Sequence, residues 1–79
     1  MRLFFDFYFT GGGKKEVEIK QEFRMTEAEI DETIEEFSEV FYEAFKAGEP
    51  GAFKTTTGEN KLFVVNLQKV DYIEFRKEE

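Results

Sequence analysis

Met25-Thr26-Glu27-Ala28-Glu29-Ile30-Asp31-Glu32-Thr33-Ile34-Glu35-Glu36-Phe37-Ser38-Glu39-Val40-Phe41-Tyr42-Glu43-Ala44-Phe45-Lys46-Ala47-Gly48 reads as one long amphipathic helix. Its start is marked by a capping box. Thr26 can accept the backbone N–H of Glu29, and the Glu29 side chain can accept that of Thr26. Met25 and Ile30 fit a hydrophobic staple around the cap. Gly48 can take the left-handed conformation that ends a helix, and Pro50 follows two residues later. Between these signals Ile30, Ile34, Phe37, Phe41 and Phe45 keep helical spacing, with Val40 and Ala44 widening the stripe. At 1.5 Å per residue such a helix is roughly 30 Å long, enough to cross a small sheet.

The opposite face is acidic. Asp31, Glu32, Glu35, Glu36, Glu39 and Glu43 spread across it, with Glu27 and Glu29 in the first turn. Residues 26–47 hold eight acids and the single base Lys46, so they carry the whole net charge of −7. Acids in the first turn favour the helix dipole. Glu36, Glu39 and Glu43 gain nothing from it and repel one another.

Upstream, Leu3, Phe5, Phe7 and Phe9 alternate with Phe4, Asp6, Tyr8 and Thr10, which predicts a strand with a strongly apolar inner face and a partly aromatic outer one. Gly11-Gly12-Gly13 then forms a hairpin loop. It lacks both P-loop and dinucleotide spacing, and no helix follows it. Lys14–Arg24 is the expected return strand, with Val17, Ile19 and Phe23 inward and mixed charges outward. Downstream of the helix, Ala52–Thr56 and Lys61–Leu67 are expected strands around a turn at Thr57-Gly58-Glu59-Asn60. The run Leu62-Phe63-Val64-Val65 predicts burial on both faces. A kink or tight turn falls at Asn66–Lys69. Val70–Arg76 alternates again without deciding which side faces in.

The expected fold is therefore α+β: a single domain, 1–79, with one mostly antiparallel sheet packed on one long helix in the order β-β-α-β-β-β. Its core should include Phe5, Phe7, Ile19, Ile34, Phe37 and Phe41. The closing stretch Val65-Asn66-Leu67-Gln68-Lys69-Val70-Asp71-Tyr72-Ile73-Glu74 resembles the strand–turn–strand ending of small uncharacterised proteins of bacteria and their phages. That resemblance implies a bacterial or mobile-element origin and supplies no activity and no site residues.

Composition narrows the chemistry. There is no cysteine and no histidine, which removes disulfides, thiolate metal sites and the commonest general base. Ser38 is the only serine and lies mid-helix with no base to activate it. One straight helix brings at most two carboxylates onto one cation, so the acids are expected to be a solvated face, with no metal and no cofactor. The net charge argues against direct binding to nucleic acid or to an anionic membrane. Met1–Phe5 is apolar like the start of a signal peptide, but Asp6 interrupts it and no small-residue cleavage site follows. A cytoplasmic protein is the expectation.

Two surfaces stand out. Tyr42 lies beside the acids, so Glu35, Glu39, Tyr42 and Glu43 are the candidate contacts for a basic protein partner. Phe4 and Tyr8 leave apolar surface outside the helix-covered face and are the candidates for self-association as a homodimer. The expected function is a small non-catalytic interaction module, in its most concrete form an acidic inhibitor or decoy of a nucleic-acid-binding protein. The alternatives are a small-ligand binding protein with its pocket at a homodimer seam, and a structural subunit of a larger assembly.

Overall fold

In the computed structural model, which describes residues 1–79, helix α1 spans Glu27–Lys46. Its capping box is formed: Glu29 N donates to Thr26 Oγ1 (3.2 Å) and Thr26 N donates to Glu29 Oε1 (3.1 Å). Such a cap contributes about 1 kcal/mol. At the other end Gly48 has φ +80° and its N–H donates to Phe45 O, closing the last turn.

The chain runs β1 (Arg2–Phe9), β2 (Lys14–Glu18), α1, β3 (Ala52–Thr56), β4 (Leu62–Asn66), a 3₁₀ turn (Leu67–Lys69) and β5 (Val70–Glu78). The fold is α+β with antiparallel strands, and the element order is the expected one. The strands do not form one sheet. Three make a sheet in the order β2-β1-β5 and two make the hairpin β3-β4. The sheets meet at a corner, where Ile19 bridges Thr57, Lys20 N donates to Thr56 O and Gly58 N donates to Glu18 O. Gly58 fits there for want of a side chain, since a Cβ would meet Glu18 Cδ at 2.9 Å. The reason for the corner is the shape of the core. Phe53 and Phe63 of the hairpin pack on Phe5 and Phe7 of β1, which requires the hairpin to fold over them.

Four further expectations change. Strand β2 ends at Glu18 and not at Arg24, because the backbone beyond it turns to the hairpin; Phe23, expected inside, is 69% exposed. Strand β4 is buried on one face only: Phe63 and Val65 turn inward, and Leu62 and Val64 face solvent because nothing packs outside the hairpin. Asp6, on the outer face of β1, is buried. Phe37, Ile34 and Val40 line the helix stripe, but Phe37 and Ile34 are only partly buried and Val40 is exposed.

The core gathers Leu3, Phe5 and Phe7 of β1, Val17, Ile19, Ile30, Phe41, Val65, Leu67 and Val70. Phe5 is its hub, with Phe37 and Phe75 each 5.0 Å away in edge-to-face geometry. The kink expected at Asn66–Lys69 is the 3₁₀ turn, capped by Asn66 Oδ1 accepting from Gln68 N. The β1–β5 register shifts between Tyr8 and Phe9, which leaves Asp71 as an extra residue. That bulge explains the ambiguous alternation: Val70 is buried before it, and Ile73 and Phe75 turn inward after it.

Candidate interaction surface

Exposed faces of the helix, sheet and hairpin, the clefts between them and one strand edge make up the surfaces available for binding. The first is the back of α1. Glu35, Glu39, Tyr42 and Glu43 are all exposed. At 100° per residue, Glu35 and Tyr42 lie on the flank nearer β5, and Glu39 and Glu43 lie further round the solvent face. Glu29 caps the helix, and the other seven acids divide into two sets. Glu27 and Asp31 share Lys77, whose Nζ donates to Asp31 Oδ1 (2.8 Å) and Glu27 Oε1 (3.1 Å); the two carboxylates hold the Lys77 ammonium above its usual pKa. Glu32, Glu35, Glu36, Glu39 and Glu43 pair with no base. Lys46 Nζ lies over the Tyr42 ring at 5.8 Å. Ser38 Oγ donates to Glu35 O (2.8 Å), so its hydroxyl is engaged by its own helix.

Between α1 and β5 runs a groove of about 310 Å³, lined by Phe41, Tyr42, Phe45, Tyr72, Ile73 and Phe75 together with Ser38 and Asp71. The free edge of β5 forms one wall. Its state follows from the ladder: Ile19 N donates to Leu3 O and Phe9 N donates to Gly13 O, so the odd residues of β1 turn their backbone groups to β2. The even residues Phe4, Asp6 and Tyr8 therefore bond Arg76, Glu74 and Tyr72. The N–H and C=O groups of Ile73, Phe75 and Lys77 point the other way, where no strand of this chain pairs with them.

The outer face of the three-stranded sheet is a charged and aromatic network. Arg76 donates to both oxygens of Asp6 (3.1 and 3.3 Å) and also pairs with Glu16 and Glu78. The Arg76 guanidinium lies 4.4 Å from the centre of the Phe4 ring, and that of Arg2 lies 4.9 Å from it. Tyr8 stacks on Tyr72 at 4.3 Å with Lys14 near its ring. The Glu74 carboxylate beside Tyr8, with burial adding to it, raises the phenol above its usual pKa against the opposing pull of Lys14. Arg2 donates twice to Glu18 (both 2.9 Å) and holds that carboxyl below its usual pKa. Phe4 and Tyr8 are thus half-covered by cations and rings of their own chain.

Other features are a cleft of about 200 Å³ between β2 and the β3–β4 turn, recesses of about 330 Å³ beside Arg2 and Lys20 and about 360 Å³ beside Met25 and Glu79, and the outer hairpin face with exposed Leu62 and Val64. No three acidic side chains converge to cage a cation, and no helix is long and apolar enough to cross a membrane. The sequence singled out the helix acids and Tyr42 but not the β5 edge beside them. Its one signal was the change of phase between Val70 and Ile73. No protein-family model, no curated protein and no solved structure matches this chain.

Proposed function

We propose that this chain is a non-catalytic interaction module of the cytoplasm whose acidic helix meets a basic protein partner. One observation carries the reading: Glu32, Glu35, Glu36, Glu39 and Glu43 stand unneutralised on one element, next to an apolar groove with Tyr42 on its rim. Carboxylates that served only solubility would have no reason to be gathered there, because they repel one another at i,i+3 and i,i+4 spacing. A concentrated negative field speeds encounter with a cationic surface, and its effect falls as salt rises. A protein whose own ligand is nucleic acid presents such a surface, so an inhibitor or decoy of that class of protein is the concrete form of the reading. Self-association through Phe4 and Tyr8 is a separate matter, and the cations over those rings reduce the apolar area it would bury.

The test is affinity capture from a bacterial lysate with wild-type chain and the variant E35Q/E39Q/E43Q as parallel baits, each at low and high salt. The expected result is a set of basic proteins held by wild type, lost at high salt and lost to the variant. The variant itself should fold as well as wild type or up to about 1 kcal/mol better, as repulsion is relieved. Capture of the same proteins by both baits at equal yield refutes the reading.

A further inference from the structure

We infer that the free edge of β5 accepts an extended basic peptide as an added antiparallel strand, with apolar side chains at alternate positions entering the groove beneath α1. The inference rests on the reading of the acidic helix given above and supplies its binding mode. Outward N–H and C=O groups of Ile73, Phe75 and Lys77 form a ready template for a fourth strand. A residue placed opposite Ile73 or Phe75 in that strand would point its side chain to the same side as theirs. That side is the groove lined by Phe41, Tyr42 and Phe45, so the positions that make the backbone bonds are also those that bury apolar groups. The intervening positions project to the outer face, where Tyr72 and Glu74 lie, so lysines there meet the exposed Glu74 carboxylate.

Charge selects the occupant. Strand edges are commonly protected by inward-pointing charges, and Lys77 performs that role at one end, tied to Asp31 and Glu27. From Tyr72 to Phe75 the only charged residue is Glu74. A second copy of this chain would bring another −7 charge and another row of free helix carboxylates to the same seam. A cationic strand meets attraction instead. Acids beside the edge thus reject self-pairing and admit a basic partner.

The probe is an acetylated peptide of about seven residues alternating lysine and valine, roughly 24 Å when extended. Its binding to the full chain is followed by fluorescence anisotropy and by amide hydrogen exchange. Two methylated forms separate backbone pairing from charge. Methylating the valine nitrogens removes the donors that face β5, and methylating the lysine nitrogens removes those that face away. The expected result is protection of the Ile73 and Phe75 amides on binding. Affinity should fall at least about tenfold for the valine-methylated form and stay unchanged for the lysine-methylated form. Equal binding of the two methylated forms, or unchanged exchange at Ile73 and Phe75, overturns strand addition. If E35Q/E39Q/E43Q still loses affinity in that case, the acidic-helix reading survives alone. If valine methylation matters but the triple variant binds as well as wild type, strand addition stands and the acidic-helix reading fails. No binding by any peptide, or protection of those amides in a dimer without peptide, overturns the inference.

Discussion

Replacing Phe5 tests the account of the core most severely. Its ring is fully buried and makes edge-to-face contacts with Phe37 and Phe75 at 5.0 Å, with Phe41, Phe53 and Phe7 within 6.4 Å. It is therefore where β1, β3, β5 and α1 meet. Truncating a buried phenylalanine costs about 3–5 kcal/mol, since the transfer free energy is lost and a cavity remains. A domain of this size has about 4–12 kcal/mol of stability in all, so Phe5→Ala should leave it at the margin of folding. Phe5→Leu should lose about 1–2 kcal/mol and stay folded. Phe37→Ala, at a half-buried position, should lose about 2 kcal/mol. Phe23→Ala, at a ring 69% exposed, should lose less than about 0.5 kcal/mol. Urea melts with a common m-value give the order directly. A loss below about 1 kcal/mol for Phe5→Ala, or equal losses at Phe37 and Phe23, would refute this packing.

The Asp6–Arg76 pair predicts an asymmetry. Arg76→Ala strands a carboxylate that is 3% exposed and has no other partner, whereas Asp6→Ala leaves a partly exposed guanidinium with Glu16 and Glu78. Arg76→Ala should therefore lower the urea midpoint further than Asp6→Ala, and the reverse order would contradict the assigned geometry. The Arg2–Glu18 pair predicts a pH dependence. Because the Glu18 carboxyl is held below its ordinary value of about 4.5, the pair contributes stability above that pH and loses it as pH falls through the depressed value. The stability gap between wild type and Arg2→Ala should be small, because the pair is exposed, and should close as pH falls below about 4.5.

The helix was the most legible part of the sequence, because its start, stripe and stop are all local signals. Thr26 and Glu29 form the cap their spacing predicts, and Gly48 adopts the conformation its position demands. Strand identity was legible where alternation was clean, as at Leu3, Phe5 and Phe7. Sheet partition was not, because it depends on Phe53 and Phe63 reaching Phe5 and Phe7 across a long sequence separation. The run from Leu62 to Val65 misled because β-branched and large apolar residues are favoured in strands whether or not their face is covered. Asp6 misled for the opposite reason: its burial depends on Arg76, seventy residues away in the chain. Of the proposed surface, the exposed acids and Tyr42 could be read from helical periodicity. The edge of β5 could not, since which strand ends a sheet is a property of topology.

The most direct test of the free β5 edge is hydrogen exchange along residues 72–77 of the isolated chain at low concentration. The ladder assigns the N–H groups of Tyr72, Glu74 and Arg76 to β1 and leaves those of Ile73, Phe75 and Lys77 unpaired. Slow exchange is expected at the first three and fast exchange at the second three, alternating residue by residue. Exchange at Ile73 and Phe75 as slow as at their neighbours would contradict it, because that edge would then already be covered.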